Sequence, residues 1–88
     1  MPEISRFFGI VVRLFYDDHA PPHFHTEYGE YKATYSIKEL QLLAGKLPRR
    51  EEFLVLSWAK MHQDELLKDW DLCVNSKVPF KIEPLDRE

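Results

Sequence analysis

Apolar and polar positions change period along the chain, and each change marks an element. Residues 7–16 (FFGIVVRLFY) are almost continuously apolar and rich in β-branched and aromatic side chains. That run predicts one strand, central in its sheet, with both faces partly covered. DDHAPP at 17–22 ends it, because consecutive prolines fix φ and donate no backbone hydrogen bond. Strict alternation follows in HFHTEY-GE-YKATYSI, 23–37. It predicts two strands around a Gly29-Glu30 turn of type II′, pairing Tyr28 with Tyr31, Glu27 with Lys32, His25 with Thr34 and His23 with Ser36. One face then carries Phe24, Thr26, Tyr28, Tyr31, Ala33, Tyr35 and Ile37. The other carries His23, His25, Glu27, Lys32, Thr34 and Ser36. A slip of one residue would mix the two sets, so the register is well specified.

Beyond the hairpin, ELQLLAGKLP reads as a short strand or extended segment ended by Gly45 and Pro48. From 48 to 75 the period becomes helical. Val55, Leu56, Ala59, Leu66, Leu67, Trp70, Cys73 and Val74 share one wide arc, while Ser57, Lys60, Asp64, Lys68 and Asp71 face solvent. Pro48 suits the first turn, and Glu51 and Glu52 follow near the positive end of the helix dipole. VPFKIEPL, 78–85, reads as a closing strand with its prolines at an edge or its ends. The expected fold is α+β: a small, mainly antiparallel sheet in the order β-β-β-(β)-α-β, with one long helix packed on one face. Residues 1–88 read as a single α+β domain without repeat or linker.

Composition narrows the function classes. At 88 residues a single core is only just sufficient, and 14% aromatic content helps by burying large areas. Neither a leader pattern nor a membrane-length apolar run stands out. Cys73 is the one cysteine and fits a reducing, cytoplasmic setting. Twelve Lys and Arg against fifteen Asp and Glu give a net charge of −3, which disfavours a nucleic-acid partner.

The candidate chemistry lies in DDHAPPHFHTEY, 17–28. His23 and His25 at i and i+2 of a strand point the same way, roughly 7 Å apart at the backbone. Two imidazoles so placed can converge on one ion, with His19 in the bend as a third nitrogen and Glu27 as ligand or acceptor. Zinc, nickel and copper all accept imidazole, and the spacing favours none of them. The same face supports a catalytic reading, with His23 and His25 as acid and base, Glu27 assisting, and Asp17, Asp18, Thr34 and Ser36 nearby. The plainer reading makes His23 and His25 ordinary polar-face residues and His19 and Asp18 turn formers.

Trp58, His62, Glu65 and Asp69 form a stripe on one helix flank, with His62 and Glu65 at ligand-like i, i+3 spacing. If the helix covers the apolar sheet face, His62 meets the strand histidines only at a sheet edge or across a subunit interface. Leu54, Met61 and Leu72, beside Trp58, make a second apolar sector. It is either a docking face for a partner, a homodimer included, or is covered by 38–47 or the C-terminal strand.

MPEISRFFGI, DDHAPPHFHTEYGEYKATYSI, GKLPRR, Trp58, HQDEL at 62–66, Trp70 and the late IEPL together resemble a small prokaryotic domain of unknown function, number 4160. The resemblance spans nearly the whole chain, and Pro-Pro-His-Phe-His is its most specific part. Asp18, His19, Pro21, Pro22, His23, His25, Tyr28, Trp58, His62, Glu65 and Trp70 match signature positions. It implies a compact α+β domain with no established activity, often encoded beside another small domain in a toxin–antitoxin-like layout. The leading expectation is therefore a cytoplasmic protein-interaction module that binds a cognate small protein encoded nearby, through the hairpin face or the second helix sector. The alternatives are a His-dependent hydrolase, such as a ribonuclease, working through His23 and His25, and a divalent-metal-binding domain.

Overall fold

The computed structural model describes residues 2–16 and 18–85. Five strands, β1 (Glu3–Phe7), β2 (Ile10–Arg13), β3 (His23–Tyr28), β4 (Tyr31–Ser36) and β5 (Leu42–Lys46), are followed by two helices, α1 (Arg49–Met61) and α2 (Gln63–Val74). The strands form one antiparallel meander in the order β1-β2-β3-β4-β5. The α+β class expected from the sequence is what the chain adopts, and three elements differ in detail.

The apolar run at 7–16 is not one strand. Phe8 and Gly9, at φ 51° and 77°, form a tight turn, so Phe7 ends β1 and Ile10 opens β2. Positive φ at both central residues matches the right-handed twist of a hairpin. A glycine inside a continuous apolar stretch was the available signal, hidden by hydrophobicity on both sides. β2 is nonetheless an interior strand, with Ile10, Val11 and Val12 buried.

The β3–β4 hairpin has the expected register, from Tyr28 opposite Tyr31 to His23 opposite Ser36. Gly29 takes φ 57° at the first turn position. β5 extends the sheet, and Gly45 lies within it rather than ending it. At φ 70°, a β-carbon on Gly45 would fall 2.0 Å from the Lys32 carbonyl oxygen, so only glycine fits against β4.

The expected single helix is two, meeting at His62 (φ −122°, ψ 25°). Gln63, Asp64 and Glu65 open α2, two of them acidic and near the positive end of its dipole. Gln63 Nε2 donates to the Ile37 carbonyl at 2.8 Å and pins the joint to the end of β4. The helical period runs through the break almost in phase, which is why apolar spacing alone conceals it.

The core lies between the helices and one sheet face. Ile4, Phe7, Ile10, Val12, Phe24, Tyr35 and Ile37 meet Val55, Trp58, Ala59, Leu66 and Cys73. The Trp58 ring packs 5.3 Å from Phe7 and 6.2 Å from Phe24, and its Nε1–H donates to the Glu83 carbonyl at 2.8 Å. Residues 78–85 are a strap rather than a closing strand. Ile82 N–H donates to the Ile4 carbonyl at 2.8 Å and Phe80 N–H to Asp69 Oδ1 at 2.9 Å. Pro79 and Pro84 supply no donors for a continuous ladder.

The opposite sheet face is open. Two rungs of cross-strand neighbours traverse all five strands there: Arg6–Val11–Glu27–Lys32–Lys46 and Glu3–Arg13–His25–Thr34–Ala44.

Candidate metal centre

Period-2 alternation sets His23 and His25 side by side at the start of β3, and the preceding bend brings Asp18 to them. Asp18 Oδ2 lies 2.8 Å from His23 Nε2 and 3.2 Å from His25 Nε2. One ligand atom from each of the three falls within 4.8 Å of the others. Both imidazoles thus direct Nε2 at a single carboxylate oxygen.

Each ring is anchored through its other nitrogen. His23 Nδ1 is 2.7 Å from the Pro21 carbonyl. A carbonyl only accepts, so Nδ1 carries the proton and donates it. His25 Nδ1 is held by Thr34 Oγ1 at 3.3 Å, the hydroxyl that the hairpin register places opposite it. Aromatic rings fix the imidazole planes: Phe15 stacks on His25 at 4.0 Å, and Trp70 of α2 lies 5.1 Å from His23. His23 is only 8% exposed. Its place on the polar strand face suggested a more open residue, but β3 begins where α2 passes.

The electrostatics favour a negative centre. Burial pushes the Asp18 carboxyl up. The His25 hydrogen bond, the His23 charge and the His19 backbone N–H outweigh that and hold it below its ordinary value. With Nδ1–H of His23 committed to Pro21, its Nε2 presents a lone pair to this carboxylate unless the ring is doubly protonated. Either a second proton on the ring, which makes the contact a charge-assisted hydrogen bond, or a cation shared among the three groups removes that repulsion.

The other residues singled out from the sequence are placed differently. The His19 side chain is 93% exposed and lies outside the convergent set, its Nδ1 3.6 Å from Asp18 Oδ1. The carboxylate that joins the two strand histidines is therefore Asp18. Asp17 lies outside the described residues. Glu27 pairs with Arg13 at 3.3 Å rather than serving His25. His62 packs on Trp58 at 5.5 Å, and its Nδ1 meets Glu65 Oε1, so both belong to the helix joint and not to the strand cluster. The row Leu54, Trp58, Met61 and Leu72 does not form one surface. Trp58 is fully buried, Leu54 and Leu72 are half-buried, and Met61 is 64% exposed. No helix among the described residues is long and apolar enough to cross a membrane.

The family model for the Domain of unknown function (DUF4160) matches residues 9–71. The chain belongs to this family. The DUF4160 match takes in β2 to β5, α1, most of α2 and all three convergent residues, while β1 and the strap lie outside it. No curated protein and no solved structure matches the chain.

Proposed function

We propose that this DUF4160 domain is a divalent-metal-binding module in which Asp18, His23 and His25 hold the ion. The observation that carries the reading is the convergence of two Nε2 atoms on one carboxylate oxygen while both Nδ1 atoms are held from behind. Metal-ligating histidines characteristically have the second ring nitrogen engaged in this way, which sets tautomer, orientation and basicity. Tetrahedral zinc, with bonds of about 2.0–2.1 Å, spaces its ligand atoms by roughly 3.3 Å. The 2.8 and 3.2 Å separations need to open by half an ångström or less to admit it.

Asp18, His23 and His25 would hold the ion, and an ion held by three protein ligands would supply an activated water for hydrolysis. The hydrolase and metal-binding expectations thus join in one centre. The partner-binding expectation has less support on the helix sector, because Trp58, which the row Leu54, Met61 and Leu72 lies beside, faces the core.

Zinc titration of chelator-stripped protein without a histidine tag tests the reading. The account predicts one equivalent bound, loss of that site in Asp18→Asn and in the His23→Ala, His25→Ala double variant, and retention in His19→Ala. Uptake below about a tenth of an equivalent, or an unchanged isotherm in the double variant, would overturn it.

A further inference from the structure

Next to the proposed centre, the open sheet face sinks into a trough of about 340 Å³. His25, Thr34 and Phe15 form the end shared with the centre, and Glu27, Lys32, Ala44 and Gly45 line the remainder, with Lys46 the next residue along β5 beyond the lining. The volume falls within the roughly 300–1,000 Å³ typical of small-molecule pockets.

The open face around this trough carries a positive surplus once Lys46 is counted with the lining residue Lys32. Lys32 on β4 lies directly opposite Lys46 on β5, with both side chains on the open face. Like charges directly opposite on neighbouring strands oppose pairing. Lysine on the edge strand β5 fits edge protection, but Lys32 is on an interior strand. The carboxylate that register sets beside Lys32 is Glu27, which is engaged by Arg13. Across the two full rungs, four basic groups (Arg6, Arg13, Lys32 and Lys46) face two acidic ones, Glu3 and Glu27. Both acids are paired with the arginines. The surplus positive charge therefore falls on Lys32 and Lys46, in a chain whose net charge is −3. An anion between the two ammonium groups converts their repulsion into attraction.

We propose that the trough binds a small phosphate ester, its phosphate between Lys32 and Lys46 and the remainder of the molecule reaching toward His25. Lys32 is one strand across and two residues along from His25, roughly 8 Å at the backbone, within the span of a mononucleotide-sized ligand. The inference names the ligand class of the proposed metal centre and rests on that reading for what the ion meets. The lysine pair itself is independent of the ion.

Adenosine monophosphate is titrated into zinc-loaded and chelator-stripped protein, followed by calorimetry, with inorganic phosphate and hexauridylate as further probes. Lys32→Gln with Lys46→Gln removes the repelling pair, so folding is retained. Affinity for adenosine monophosphate falls at least tenfold in that variant while one equivalent of zinc is still bound, and Lys32→Arg with Lys46→Arg restores binding. Equal affinity in the glutamine variant, or no binding of adenosine monophosphate to the parent protein, overturns the proposal. Binding of hexauridylate alone overturns the small ligand. Lysine-dependent binding to protein that takes up no zinc supports the trough and removes only the metal reading.

Discussion

His25 reaches its place through two independent constraints, and they are legible to different degrees. Alternation along β3 puts it beside His23, and hairpin register puts Thr34 opposite, both direct consequences of a two-residue period. Asp18 has no such period behind it. It meets the histidines through the path of a proline-containing bend, which residue spacing does not specify, so His19 was the natural third ligand and is instead solvent-facing. His23 was legible as a polar-face residue but not as a buried one, since that depends on where Trp70 arrives. The Thr34 contact has a measurable consequence. Thr34→Val removes the anchor of His25 Nδ1 while conserving shape, and is expected to weaken zinc binding about tenfold with little change in the thermal midpoint of metal-free protein. Unchanged zinc affinity in that variant would show that the hydroxyl does not orient the ring.

Elements were most readable where one period dominated, as in the β3–β4 hairpin. They were least readable where apolar patterning continued through a backbone change. Phe8-Gly9 splits an apolar run, and His62 interrupts a helix whose buried arc continues on both sides. The acidic start Gln63-Asp64-Glu65 was a helix-opening signal inside a longer periodic segment. The strap reads as a closing strand in the sequence, yet it is tied down by isolated bonds, one of them from Phe80 N–H to Asp69. Asp69 is 2% exposed, and its Oδ2 has no hydrogen-bond partner among the described residues. Burial raises its pKa, Glu65 adds to the rise, and the Phe80 N–H opposes it. Between the unfolded value, near 3.9, and the raised native value, the native state holds more protons than the unfolded chain. Stability therefore falls as pH rises through that window, and the full penalty is present above it. Asp69→Asn keeps an oxygen for Phe80 N–H and removes the titration. Its thermal midpoint should exceed that of the parent at pH 7, with the difference shrinking toward pH 4. A constant offset across that range would show that Asp69 does not titrate with folding.

At the scale of the molecule, helices and strap cover one sheet face and leave the other open. The net charge of −3 argues against a nucleic-acid partner, but an average over the chain does not describe one face. Cross-strand register gathers Arg6, Arg13, Lys32 and Lys46 on the face that also carries His25. The helix sector read as either a docking face or a covered one is split, since Trp58 enters the core, packed on Phe7 and Phe24, while Met61 is exposed. The burial of Trp58 depends on how α1 sits on the sheet, which helical period alone leaves undetermined.

The central claim is that the two strand histidines and Asp18 form one cation site through Nε2 and Oδ2. Long-range proton–nitrogen correlation spectra resolve the nitrogens of all four histidines, before and after one equivalent of zinc. The account predicts Nδ1–H on His23 in metal-free protein near neutral pH and a large zinc-induced shift at Nε2 of His23 and His25. His19 and His62 should stay unchanged. Shifts confined to His19 or His62, or spread evenly over the four rings, would contradict it.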